Sequence, residues 1–313
     1  MEPEKFTIKS SRGDCDIQCY AWIPEGNVRC TLQISHGMLD HATRYSKFAE
    51  FLNKNHVAVF AHDHLGHGET ESGTRGHFAE SDGDMYLVDD VFQITRKINS
   101  RYPDVKHMIL GHSMGSFIVR RYLTRYGEYV DGAIICGTGR KKKSTLKHGI
   151  RIAKLLCKIK GPESRSNMLH KAAVGYDKKF PGDKPNRWLT RDESVVDAYN
   201  EDPLVQFQFT NRAYVDLFKL LYDLETYVDF RNIPRNLPII FISGTDDPVG
   251  DYGRGVEECH SVLLAMGLHP GIRLYHGARH ELLNETNWRE VYEDIMIWIN
   301  GVIDNEGGLG CRY

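Results

Sequence analysis

The sequence predicts an α/β fold, a mostly parallel central sheet with helices on both faces and a helical segment inserted near its middle. Short apolar runs such as "VAVFAHD", "VKHMILG" and "YVDGAIICG" read as strands buried on both sides. Amphipathic helical patterns fall between them, as a parallel sheet with crossover helices requires. After Gly139 the alternation stops for roughly 90 residues of helical and loop pattern and then resumes at "LPIIFISGTDD".

Each element has a local reason. "FTIKS", "CDIQCYAWIP" and "CTLQISHG" alternate apolar and polar residues and read as strands. "YSKFAEFLNKN" sets Tyr45, Phe48, Phe51 and Leu52 at helical spacing, and "VAVFAHD" follows as a strand. "DMYLVDDVFQITRKINSRY" puts Leu87, Val91, Ile94 and Ile98 on one helical face and stops before Pro103. "VKHMILG" is a strand, "SMGSFIVRRYLTRYG" a helix closed by Gly127, and "YVDGAIICG" a strand. Past the break, "LPIIFISGTDD" and "IRLYHG" are strands, while "VEECHSVLLAMG" and "NWREVYEDIMIWINGVI" are helices. The expected organisation is a first core part over 1–139, a helical cap over 140–232 and a second core part over 233–313, with a loose tail "DNEGGLGCRY".

Composition narrows the function. A chain of 313 residues with 41% apolar content can bury a large core. A net charge of -2 leaves no footprint for nucleic acid, so no such partner is expected. "MEPEKFTIKSSRGDCD" has no apolar stretch of the signal-peptide kind, and no run of about 18 apolar residues offers a membrane span. The seven cysteines follow no metal spacing and read as reduced thiols, which fits a cytoplasmic location. Nine Lys/Arg and no Asp/Glu lie between Arg140 and Lys160, against 31 basic and 42 acidic residues elsewhere.

The chemistry points to one corner. Gly111-His112-Ser113-Met114-Gly115 fits G-x-S-x-G, with a buried strand before it and a helix after it. The glycines allow the backbone to fold tightly around a strained serine, and the helix start offers N–H groups to a developing oxyanion. A serine hydroxyl is a weak nucleophile and needs a base and an orienting acid. Both follow later strands. Asp246 and Asp247 end "IIFISGTDD", and His276 and His280 follow "IRLY". His280, in the loop before the last helix, is the preferred base, and Asp247 is the preferred acid. A second corner, "ISHGMLDHATRY", offers the amide of Met38 as an oxyanion donor beside that of Met114.

With these residues in place, the sequence resembles the α/β-hydrolase superfamily. Within it, the sequence is similar to the monoglyceride lipase/lysophospholipase branch, grouped with serine aminopeptidase-type hydrolases. "SHGMLDHATRY", "VFAHDHLGHGETESG", "LGHSMGSFI", "ISGTDDPVG" and "YHGARHELLNE" carry the likeness in order over most of the chain, and "NRWLTRDESVVDAYNEDPLVQFQFTNRAYVDL" looks like the cap of bacterial members. The resemblance implies an α/β-hydrolase fold with an inserted helical cap and a serine hydrolase without cofactor. It implies Ser113 as nucleophile, His280 as base, Asp247 as orienter, and an oxyanion hole at Met38 and Met114. Relatives often read H-G-x-G-E-H at the first corner. Here Leu39 replaces the usual small residue and narrows it.

The expected substrate is a small acyl ester, a monoacyl lipid such as a monoacylglycerol or a lysophospholipid. Three other readings compete: an amide- or peptide-cleaving serine hydrolase, a metal-dependent hydrolase at His62, His64 and His67 of "HDHLGH", and a receptor that binds without catalysis. The last histidine of that run follows Gly66, where a binuclear metal site needs Asp. Leu39 and the cap stripe Phe207, Phe209, Tyr214 and Phe218 are the expected substrate contacts. "LKHGIRIAKLLCKI" sets Leu146, Ile150, Ala153 and Cys157 on one face beside Lys154 and Lys158, a pattern that can rest on an anionic lipid surface as a peripheral membrane contact.

Overall fold

A computed structural model describes residues 2–304; Cys311 and the rest of the expected loose tail lie outside the described residues. Eight strands form one sheet: β1 (Glu4–Lys9), β2 (Asp16–Trp22), β3 (Cys30–Ser35), β4 (Val57–His62), β5 (Lys106–His112), β6 (Gly132–Cys136), β7 (Ile239–Gly244) and β8 (Gly271–Tyr275). Their spatial order is β1-β2-β4-β3-β5-β6-β7-β8. β1 pairs antiparallel with β2, and β2 with β4; every later pairing is parallel.

The period of two along each strand divides the core. In β5, Ile109 faces one apolar layer while Met108 and Leu110 face the other. Ala133 and Ile135 of β6 join the first, and Ile134 and Cys136 the second. The second layer is covered by α1 (Ser46–Asn53) and by the last helix, which supplies Tyr292, Ile295, Trp298 and Ile299. The first is covered by α2 (Gly83–Arg101) and α3 (Met114–Tyr126). This double cover explains why β4, β6 and β7 and the middle of β5 read as continuous apolar runs while β1, at the edge, alternates; β3 alternates in sequence yet is buried at every position.

Between β6 and β7 the chain makes α4 (Lys143–Lys160), α5 (Asn167–Val174), α6 (Glu193–Glu201) and α7 (Asn211–Leu224), and adds no strand to the sheet. α7 packs on α4 and also on the core helices α2 and α3. Its Lys219 Nζ reaches Asp84 Oδ2 of α2 at 2.5 Å. α8 (Arg254–Ala265) and α9 (Trp288–Ile303) complete the fold. No helix among the described residues is long and apolar enough to cross a membrane. The six described cysteines are free.

Candidate active site

Ser113 stands between β5 and α3 at φ 54° and ψ −119°, a left-handed position costly for a residue with a side chain. Its neighbours show why the corner holds only glycine on either side. A Cβ on Gly115 would lie 2.0 Å from the Ser35 carbonyl oxygen, and one on Gly111 would lie 2.4 Å from that of Gly115. The Ser113 N–H donates to the Cys136 carbonyl at 3.0 Å, tying the corner to β6.

The two later strands deliver the partners. His280 Nδ1 lies 3.0 Å from Asp247 Oδ1, and both side chains are buried. Asp247 also accepts from the Val249 N–H at 2.8 Å and the Ser243 hydroxyl at 3.2 Å. Burial alone would raise the carboxyl's pKa, but His280 and the Val249 N–H outweigh it and hold Asp247 below the usual carboxylate range. His280 Nε2 is buried with no partner, the one ring atom free to take a proton. Asp246 is exposed and offers only its N–H, to Ala278, while His276 is exposed at the end of β8.

Ser113 and His280 line one cavity of about 520 Å³, together with Met38 and Met114. Met114 is the first residue of α3, so its N–H has no acceptor within the helix. Met38 belongs to the turn after β3, which approaches the serine so closely that a Cβ on Gly37 would sit 3.1 Å from Ser113 Cβ. Leu39 follows at φ 53°, buried and on the cavity wall, with its carbonyl accepting from the Tyr199 hydroxyl at 2.8 Å. A leucine is thus held in a backbone region that glycine occupies freely.

A polar network behind this corner has no signature in the sequence. Asp40 Oδ2 accepts from the Gly37 N–H at 3.1 Å and the Tyr45 hydroxyl at 2.8 Å, and Oδ1 accepts from Arg44 at 2.9 Å. Arg44 also grips Glu281 at 2.8 and 2.7 Å, 237 positions away in the chain. Burial opposes ionisation of both carboxyls, yet the guanidinium holds Asp40 well below, and Glu281 below, the usual range. The only hint in the sequence is that Asp40 and Glu281 adjoin residues already singled out.

The loop of His280 is sewn to the inserted segment. The Glu281 N–H donates to the Leu189 carbonyl at 2.7 Å, and the Arg279 guanidinium donates to the carbonyls of Arg187 at 2.5 Å and Thr190 at 3.0 Å. The Trp188 ring covers the His280 ring at 5.0 Å between centroids.

Phe218 and Leu39 lie on the cavity wall, with Phe117, Leu146, Leu217 and Leu221. Phe207, Phe209 and Tyr214 do not, which corrects the expected stripe. The helix begins only at Asn211, where the Thr210 side chain caps it by accepting from the Ala213 N–H at 3.2 Å. Phe207 and Phe209 precede it and pack on His67 at 5.3 Å each, while Tyr214 is buried against Phe209 at 5.7 Å.

The metal reading at His62, His64 and His67 also fails on geometry. Among the described residues these three do not bring their donor atoms within reach of one ion. His62 Nε2 and His64 Nδ1 share a hydrogen bond at 3.1 Å, His64 Nε2 meets the Ser35 hydroxyl at 3.1 Å, and His67 Nδ1 meets the Leu65 carbonyl at 3.1 Å. The run is a buried, neutral packing element under the first corner.

That neutrality sets an acid limit. Burial pushes His62, His67 and His107 down to about 3. The unfolded chain takes these protons below about pH 6.5, and the fold refuses them until far lower. Stability is therefore full above about pH 6.5 and falls as the pH drops. Each histidine should cost about 2 kcal/mol at pH 5. Calorimetry from pH 7.5 to 5 should show Tm falling by well over 5 °C; an unchanged Tm would contradict the burial of neutral imidazoles.

Residues 26–287 match the serine aminopeptidase S33 family. The chain is 30% identical over 303 residues to the monoglyceride lipase of Mus musculus, covering 94% of this chain and 89% of the relative. It is 27% identical to the monoacylglycerol lipase of Mycolicibacterium smegmatis, over 89% and 90% of the two chains. Among solved structures, a thermostable carboxyl esterase from Bacillus coagulans superposes with a TM-score of 0.88 at 28% identity, over 97% of this chain and 99% of that one. The chain therefore belongs to the serine aminopeptidase S33 family of the α/β-hydrolase superfamily, on its monoglyceride lipase-like branch.

Proposed function

We propose that this protein cleaves monoacyl lipid esters, monoacylglycerols or lysophospholipids, through an acyl-enzyme on Ser113. It is a carboxylic ester hydrolase. The observation that carries the finer reading is the Asp247–His280 pair, with a free Nε2, opening on the same apolar-walled cavity as Ser113. In the first half-reaction His280 Nε2 takes the Ser113 proton as Oγ attacks the carbonyl carbon. The amides of Met38 and Met114 hold the resulting oxyanion. As the C–O bond breaks, His280 returns the proton to the leaving alcohol. Water then repeats the sequence on the acyl-enzyme and releases the fatty acid. Residues 140–232 serve as the cap that shapes the acyl side.

The peptide reading is the weaker one. An aminopeptidase needs a free carboxylate to receive its substrate's α-amino group, and the buried carboxylates at the cavity, Asp40 and Glu281, are both taken by Arg44. The test is a series of p-nitrophenyl esters of graded chain length, followed by 1-monoacylglycerol, lysophosphatidylcholine and peptide anilides. Specificity should climb up to about fourfold per added methylene until the cavity is full, since each buried methylene is worth about 0.8 kcal/mol. Faster turnover of peptide anilides than of long-chain esters would overturn the assignment.

The cap also supports contact with lipid surfaces. The face of α4 read from the sequence turns inward, with Leu146 and Ala153 buried. The opposite side leaves Leu155 56% and Ile159 69% exposed, with Met168 of α5 exposed nearby in the chain and Lys154 and Lys158 between them. Free thiols accord with a cytoplasmic protein that visits membranes without crossing them. Lys154→Glu with Lys158→Glu should weaken binding to anionic vesicles by about 1 kcal/mol per charge, with hydrolysis of p-nitrophenyl acetate unchanged. Absence of wild-type vesicle binding at low salt would remove this contact.

A further inference from the structure

The basic block from Arg140 to Lys160 is not all surface. Arg140 pairs with Glu225 at 2.6 Å and Glu258 at 3.3 Å. Lys143 and Lys147 lie over the rings of Tyr227 and Tyr222 at 5.8 and 5.6 Å. Lys141 differs. It is the one Lys or Arg on the cavity wall among the described residues, at the rim where it still meets solvent. Among the described residues it has no ion pair or hydrogen bond.

Its surroundings are positive. Lys141 leads into the uncapped start of α4, whose first turn carries no acidic residue. Thr145 and His148 follow at helical spacing on the same cavity wall. Lys179 lies close by, over the rings of Tyr176 and Tyr252 at 5.6 and 5.2 Å. The nearby acids are committed elsewhere, Asp251 to Arg254 at 2.8 Å and Asp247 to His280. Loss of water around the Lys141 ammonium lowers its pKa; Lys179 pushes the same way, and Asp251 and Asp247 pull back. A partly desolvated cation without a partner gains most when an anion arrives.

We propose that this end of the cavity binds a single anionic group, carboxylate or phosphate, carried by the ester substrate, and that Lys141 selects it. The inference rests on the ester-hydrolase reading above. It makes the enzyme one for charged monoacyl esters. The helix dipole of α4 and Lys179 add to the field that Lys141 focuses.

Matched ester pairs test this in wild type and Lys141→Met. One pair places the charge on the acyl side: mono-p-nitrophenyl glutarate against p-nitrophenyl butyrate. The other places it on the leaving side: lauroyl lysophosphatidic acid against 1-lauroylglycerol. In at least one pair the wild type should favour the anionic member, and Lys141→Met should erase about tenfold of that preference through KM. The neutral members should keep their rates within about twofold, which also reports an intact fold, and high salt should shrink the wild-type preference. The responding pair tells which side carries the charge. An anionic-to-neutral ratio equal in the two proteins for both pairs overturns the proposal. Failure of the hydrolase reading looks different: no Ser113-dependent turnover even of the neutral esters.

Discussion

Ser113→Ala will abolish ester hydrolysis, with turnover falling by about a millionfold. The loss is that large because the remaining groups act only through Oγ. His280 has no other proton to take, and the amides of Met38 and Met114 have no oxyanion to hold until a bond to carbon forms. The residue left behind changes little in the fold. Alanine and serine share the same difficulty at φ 54°, and the Ser113 N–H bond to Cys136 is a backbone bond that the substitution keeps. Circular dichroism and Tm should match wild type within about 2 °C. Retention of more than about 1% of turnover would exclude Ser113 as nucleophile. Intact long-chain ester binding without any wild-type turnover would favour the receptor reading.

Asp247→Asn is expected to lower kcat about ten-thousandfold, against less than about twofold for Asp246→Asn. The Asp247 carboxylate accepts from His280 Nδ1 and so leaves the lone pair on Nε2, the ring atom that would take the serine proton. It also accepts the Val249 N–H and the Ser243 hydroxyl, so an amide placed there meets donors on several sides. An asparagine turning its own N–H toward Nδ1 would move the ring proton to Nε2, the wrong atom. Asp246 is exposed and its carboxylate touches none of these groups. Steady-state kinetics on a soluble ester separates the two, and the reverse ranking would give Asp246 the role.

The legible parts of this molecule are those where local pattern and chemistry coincide. Strands β4, β6 and β7 are largely apolar because both faces are covered, and the glycines around Ser113 are dictated by contacts of 2.0 and 2.4 Å that any side chain would violate. The start of α7 was not legible as such. A stripe from Phe207 to Phe218 has helical spacing, yet Thr210 caps a helix that takes in only its second half. The Arg44–Glu281 pair was hidden for another reason: two residues 237 apart carry no mutual signal in a single chain. The outward face of α4 was hidden because its inward face, Leu146 to Cys157, is just as amphipathic.

The stitching of the His280 loop to residues 187–190 limits how this enzyme can diversify. A lineage that exchanged the whole insertion for another would also discard the Trp188 ring that lies against the His280 ring and the acceptors that fix Arg279 and Glu281. Innovation is therefore channelled. The stretch carrying α4 and α5 can change without breaking that seam, because none of these contacts falls within it. The stretch around Trp188 is inherited together with the chemistry, and a chimera that respects that seam should keep its turnover while changing its diet.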